Sequence, residues 1–233
     1  MDIRDVYDEL VRWTPFLAGG FAWNIAISIV AMVLGTMIGA GLAFMRQARV
    51  ALLVKPSLAV TEFARNVPTF VFLFYIAFLL PSELQVFGLV VNIPAWIKAS
   101  LALSIAVVGY VSDTLSTVIR DWRRGQRESA LLFLPSWTTY LLIIVMTSST
   151  ASLIGVSEIV SRCNTVIAAT GKSGMLVWIY LYAMLWFFLF CYPLIMAMKR
   201  LQTHLRYRNW TATGATGAAQ PQQKAQATAP AAR

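Results

Sequence analysis

Five stretches of this chain are apolar and long enough to cross a bilayer, and lysine and arginine gather in every other connection between them. The stretches run Ala22–Phe44, Leu58–Leu80, Pro94–Val118, Leu134–Val156 and Met175–Met198. Each meets or passes the ~20 residues that a helix needs to cross ~30 Å of hydrocarbon. They take up most of the 233 residues, so hydrophobic side chains reach 58% and mean hydropathy +0.67. That balance is foreign to a soluble domain, and the chain is read as an all-α integral membrane protein.

The formal net charge of +9 and the pI near 9.9 would suit a nucleic-acid binder, but the placement of the cations argues against that partner. Arg46, Arg49 and Lys55 follow the first span; Arg120, Arg123, Arg124 and Arg127 follow the third; Lys199, Arg200, Arg206 and Arg208 follow the fifth. The connection after the second span carries Glu83, and that after the fourth carries Glu158, Arg162 and Lys172. Cytoplasmic loops collect Lys and Arg, so this asymmetry predicts an outside N-terminus and a cytoplasmic C-terminus. Trp96, Trp122, Trp137 and Trp178 fall near predicted span ends, where an aromatic belt belongs.

Residues 1–20 carry Asp2, Asp5, Asp8 and Glu9, the wrong charge for a cleavable signal, while Val6, Leu10 and Trp13 recur at helical spacing. An amphipathic helix lying on the membrane surface is expected there. The transmembrane domain then covers 21–201. Residues 202–233 form a basic and then disordered cytoplasmic tail, since from Thr211 onward it has almost no large apolar side chain to bury. Cys163 and Cys191 belong to no metal or disulfide pattern, and His204 stands alone. No internal repeat is evident.

Several polar residues sit where membrane makes them costly. Glu62 and Arg65 are three apart in Glu62-Phe63-Ala64-Arg65-Asn66-Val67-Pro68, on one helix face, where they can pair or simply extend to the nearby interface. Pro68 bends a helix if it lies inside one and is harmless at a helix start. Asp113 is a carboxylate late in the third span; it faces either the bundle interior or the headgroups. Span four carries Thr147, Ser148, Ser149, Thr150 and Ser152, hydroxyls that can bond their own helix carbonyls, bridge helices or line a wet path. Gly35 and Gly39, with Gly41 beyond, let a neighbouring helix approach closely. No nucleophile stands beside a base and no acids pair within the spans, so the chain is not read as an enzyme.

In this order the motifs resemble those of the permease subunit of bacterial ABC importers for polar amino acids, the histidine, glutamine, glutamate and arginine type. Glu62–Pro68 followed by Phe70-Val71-Phe72-Leu73-Phe74 is similar to the family's Glu, Arg-Asn-x-Pro and apolar aromatic run. Gly109-Tyr110 with Asp113, then Gly125-Gln126-Arg127-Glu128-Ser129-Ala130, is similar to the approach to its ATPase-docking loop and that loop's Glu-Ala-Ala opening. Ser148-Ser149 and Ser152-Leu153-Ile154-Gly155-Val156-Ser157-Glu158 resemble its late Thr-Ser and Ser-x-Ile-Gly-Val-x-Glu run. Three weak motifs in order, with matching topology, make a strong signal.

The resemblance implies a type I importer fold in a bacterial cytoplasmic (inner) membrane. It implies three kinds of partner: a second permease subunit, identical or homologous; a periplasmic or lipoprotein solute-binding protein; and an ABC ATPase dimer that alone binds ATP. No cofactor or metal is expected on this chain. Asn66, Ser148, Ser149 and Ser152 are expected on the translocation pathway, Glu62, Arg65, Pro68 and Asp113 at its cytoplasmic gate, and Gly125, Gln126 and Glu128 at the ATPase. One departure stands out. Glu128-Ser129-Ala130-Leu131-Leu132-Phe133 runs straight into Leu134-Pro135, so about twenty residues including the coupling-helix core are missing against the family pattern. Ser116 and Met146 also replace residues that are usually Arg and often Lys. The alternative to a working importer subunit is therefore a non-coupling structural or regulatory partner of an intact homologous permease.

Overall fold

The computed structural model describes residues 3–86, 89–126, 128–172 and 174–217. Its order is α1 (Ile3–Arg46), α2 (Ala51–Asn66), α3 (Thr69–Leu79), β1 (Glu83–Val86), β2 (Leu89–Asn92), α4 (Ala95–Arg123), α5 (Glu128–Thr147), a 3₁₀ segment (Ser148–Ile154), α6 (Ile159–Thr170) and α7 (Met175–Gly217). Four helices are long and apolar enough to cross a membrane, and a fifth span results if the bent pair α2–α3 counts as one. The all-α membrane class stands, with one small addition. The two strands form an antiparallel hairpin in which Glu83 faces Asn92 and Val86 faces Leu89.

The second span departs from the continuous helix expected over Leu58–Leu80. It breaks at Val67–Pro68, and α2 and α3 meet at 100°. A residue before proline is pushed out of the helical region by the ring, and Val67 is extended (φ −86°, ψ 127°). Pro68 then starts α3, where its missing N–H costs nothing.

Four other expectations change. Residues 3–20 are not a separate surface helix but the first part of α1, whose 44 residues extend about 66 Å. Val6, Leu10 and Trp13 face a partner rather than lipid: with Leu17 and Phe21 they pack on Ile159, Cys163, Met175 and Ile179 of α6 and α7. The fourth span leaves α-geometry at Ser148, and Gly155 (φ 87°) ends it. At the other end, α7 stays helical to Gly217, past the expected onset of disorder at Thr211; residues 218–233 lie outside the described set. Trp137 is no simple belt residue, because its indole N–H donates to Thr36 Oγ1 of α1 at 2.9 Å.

The second core runs through α1, α3, α4 and α5, around Ile27, Met32, Leu73, Leu103, Val107 and Ile144. Its spine is the α1–α4 crossing. A β-carbon on Gly35 would lie 2.7 Å from the Ser104 carbonyl oxygen and collide with the Val107 side chain. On Gly39 it would lie 2.9 Å from Val111 Cβ, whereas beside Gly41 there is open space. Gly35 and Gly39 are thus the small-residue contact along which these helices touch. Gly35→Leu should lower the stability of the detergent-solubilised protein by about 1–3 kcal/mol, the cost of overpacking a close contact. Gly41→Ala should not lower it. Thermal unfolding of the two variants checks this, and equal losses would refute the assignment.

Candidate functional site

The break in the second span opens a cleft of ≈ 480 Å³ lined by Arg65, Asn66, Pro68, Thr69, Tyr110 and Tyr140, among others. Two features of α4 let it form. Gly109 admits α2 closely, since a β-carbon there would lie 2.9 Å from Arg65 Cγ and 3.2 Å from Ala64. Next to it, Tyr110 stacks on Tyr140 of α5 with ring centres 3.8 Å apart, and the Tyr140 hydroxyl donates to the Ala106 carbonyl at 3.1 Å. The walls are therefore rigid and aromatic, while the floor carries a guanidinium, an amide and a hydroxyl.

Arg65 does not pair with Glu62, as its spacing suggested. Its guanidinium donates to Asp113 at 2.8 Å, and Glu62 is exposed. The partner on the other helix wins because Gly109 lets α2 sit against α4, which brings a carboxylate within reach. Asp113 also accepts from Arg46 at 3.3 Å, so it faces the bundle and ties α1, α2 and α4 together. Arg46 goes on to Thr61 Oγ1 (2.8 Å) and Ser112 Oγ (3.3 Å), whose hydroxyls bond each other at 2.8 Å. Two guanidiniums share one carboxylate, which leaves this brace positive beside the cleft. Arg46 had no role in the sequence reading; its only signal was being the first cation after the first span.

A second polar cluster closes the far end of the 3₁₀ segment. Asn24 of α1 donates to Ser148 Oγ at 2.9 Å and to Glu158 Oε2 at 3.0 Å, and its own oxygen accepts from the Ile159 amide at 3.1 Å. Glu158 also accepts from the amides of Val160 (3.0 Å) and Ser161 (2.9 Å), capping α6. Both Asn24 and Glu158 are fully buried. Burial raises the Glu158 carboxyl above the usual range, while the two amides and Asn24 pull it back. Burial first, and Glu158 second, push the Cys163 thiol up to about 12, so it stays an inert core residue. Asn24 is the residue the sequence reading missed, although a lone amide inside a span was a usable signal.

The hydroxyl run serves its own helix. Ser148, Ser149, Thr150 and Ser152 donate to the carbonyls three residues back at 2.7–2.9 Å, which accompanies the tightening into 3₁₀ geometry. Ser148 lies in the Asn24 cluster, and none of Ser148, Ser149 and Ser152 lines the Asn66 cleft. The structure thus joins Asn66, Arg65, Pro68 and Asp113 at one place and the serines at another. Gly125 (φ 83°) stops α4: its amide reaches the Trp122 carbonyl at 3.0 Å and that of Gln126 reaches Asp121 at 2.9 Å, a Schellman cap. Four residues, 124–127, separate α4 from α5. Gln126 is exposed, and Glu128 opens α5 with its side chain outside the described set. No cluster of three or more His, Cys, Asp or Glu is placed to hold a metal among the described residues.

No family model matches the chain. It is 25% identical over 172 residues to the probable amino-acid ABC transporter permease YckA of Bacillus subtilis, covering 65% of this chain and 74% of that protein. It is 30% identical over 142 residues to the glutamate/aspartate import permease GltK of Escherichia coli, covering 60% of this chain and 63% of that one, so it spans less than two thirds of GltK. The probable glutamine permease GlnP of Bacillus subtilis is 24% identical, with 87% and 98% covered. A crystal structure of an amino acid ABC transporter with histidines shares the fold at TM-score 0.72 and 18% identity, covering 88% of this chain and 99% of that one. In sequence and in fold the chain is similar to amino-acid ABC transporter permeases. Its short α4–α5 connection is the segment that the sequence reading took for a reduced docking loop.

The buried cluster yields two tests. Asn24→Leu removes three hydrogen bonds and strands a buried carboxyl, so it should destabilise the permease by about 3 kcal/mol, read from thermal unfolding in detergent. Because the folded-state Glu158 carboxyl titrates above the unfolded one, its contribution is complete below the ordinary glutamate range. It is lost as pH rises through the raised folded value. Unfolding temperature should therefore show a component that falls as pH rises above the ordinary glutamate range and that Glu158→Gln abolishes; an unchanged profile in that variant would refute it.

Proposed function

We propose that this permease pairs with a second permease subunit, identical or homologous, to form the path by which an ABC importer moves a polar amino acid into the cytoplasm. A partner ATPase dimer supplies the energy, and a periplasmic or lipoprotein solute-binding protein delivers the substrate. The chain itself binds no nucleotide and sits in a bacterial inner membrane, N-terminus out. The observation that supports this best is the cleft at the α2–α3 break. It sets Arg65, Asn66 and Thr69 beside the start of a half-helix whose first amides lack helical partners. Interrupted helices whose N-terminal ends meet anionic substrate groups are a recurring transport device, and an amino acid always offers a carboxylate.

Asn66 contacts the substrate in this reading, and Arg65, held by Asp113, supplies positive charge at the cytoplasmic gate with Glu62 and Pro68. Ser148, Ser149 and Ser152 serve the far side of the path, where hydroxyls must exchange helix carbonyls for water or substrate as access alternates. Gly125, Gln126 and Glu128 form the reduced ATPase contact. The relatives are named as permeases, which supports a transporting subunit over a non-coupling partner.

Reconstitution with the ATPase and solute-binding protein in proteoliposomes tests this, with labelled glutamate, glutamine, histidine and arginine as probes. ATP-dependent uptake of one of them is expected. Asn66→Ala and Arg65→Ala should each lower uptake by about tenfold or more, the scale of one lost charge-assisted bond. Glu128→Lys should lower substrate-stimulated ATP hydrolysis. Uptake that survives all three substitutions would overturn the assignment.

A further inference from the structure

Lys98 stands in the second turn of α4 with 6% of its surface exposed, in a membrane helix, and among the described residues it forms no ion pair. A lysine near a helix end normally extends its ammonium to the interface. This one turns inward. Its Nζ lies 2.7 Å from the Leu80 carbonyl oxygen, 3.4 Å from that of Ala77 and 3.3 Å from Ser82 Oγ. An ammonium has three donors and no acceptor, and here it meets three acceptors.

Those acceptors belong to the end of α3 and the entry to the hairpin. The last carbonyls of a helix have no partner within it, and a helix C-terminus carries partial negative charge that favours a cation. Ser82 is fixed in turn, because its carbonyl accepts from the Ile93 amide at 2.8 Å. Phe72 and Leu73 seat the middle of α3 in the core it shares with α4; Lys98 adds the polar tie at its far end, and its near end, at the Val67–Pro68 break, supplies Pro68 and Thr69 to the cleft. The direction of this 11-residue helix beyond the break depends on both contacts.

We infer that Lys98 is a positioning residue: it pins the C-terminal end of α3 to α4 and thereby sets the wall of the cleft at the α2–α3 break. Its consequence for transport rests on the cleft being part of the path.

The test uses the full chain with its partner subunits in lipid nanodiscs, comparing wild type, Lys98→Met, Lys98→Arg and Ser82→Ala. Hydrogen exchange is read by peptide over 69–80. Lys98→Met should speed exchange there by about tenfold or more, the factor carried by a lost charge-assisted bond, with α1 and α4 unchanged. Lys98→Arg should restore protection, and Ser82→Ala, which keeps the lysine, should give a smaller increase in the same peptide. In uptake assays Lys98→Met should raise KM while maximal ATP turnover is retained. Unchanged α3 exchange in Lys98→Met would overturn the inference, as would a rise spread equally over α1 and α4. Should Lys98→Met fail to assemble, an unchanged 69–80 peptide in Ser82→Ala would overturn it. If exchange responds as expected but neither Lys98→Met nor Asn66→Ala alters uptake, the anchor stands and the assignment of the cleft to the path fails.

Discussion

A backbone amide or carbonyl surrounded by hydrocarbon has no water to bond, so every interruption of a membrane helix needs a side chain or a turn to complete it. This constraint organises the permease. Where α3 ends, Lys98 reaches its carbonyls; where α6 begins, Glu158 and Asn24 take its amides; where α4 stops, Gly125 folds the last turn back on itself.

Apolar packing and directional polar contacts both hold the bundle together. The α1–α4 crossing packs at glycine distance, with apolar side chains on both sides, a contact that has few alternative arrangements. Around it, α3 joins the apolar core through Phe72 and Leu73, and hydrogen bonds and ion pairs add ties: Arg46, Arg65 and Asp113 at one end and Lys98 at the other. Directional bonds of this kind can be exchanged for others at small net cost, whereas packed cores are bistable or rigid.

Much of this was legible in the order of residues. Span number followed from hydropathy, the glycine contact from Gly35 and Gly39, and the motif order pointed to the permeases that sequence and fold comparison then supported. Other features were not. Glu62–Arg65 pairing is what helical spacing recommends, yet Arg65 found Asp113, because helix spacing says nothing about a partner 48 positions away. For the hydroxyls of span four the sequence left three uses open, and that their donors turn to carbonyls three residues back was decided by the local tightening of the helix. The amphipathic start of α1 looked like a surface helix because its apolar face was visible and the α7 face that covers it was not.

What the sequence by itself determined is the set of local decisions: which segments enter the membrane, where Pro68 and the glycines interrupt them, and which way round the chain is expected to lie. These depend on each residue's own transfer energy and backbone freedom, so they are written one residue at a time. The tertiary structure alone decided how each interruption is completed. Asn24 meets Glu158 across 134 positions and Arg46 meets Asp113 across 67, and these pairings exist only once α1 has packed against its neighbours. The cleft belongs to this second class. Pro68 makes a break, but it is the crossing at Gly109, the Tyr110–Tyr140 stack and the anchoring of α3 that turn the break into a site.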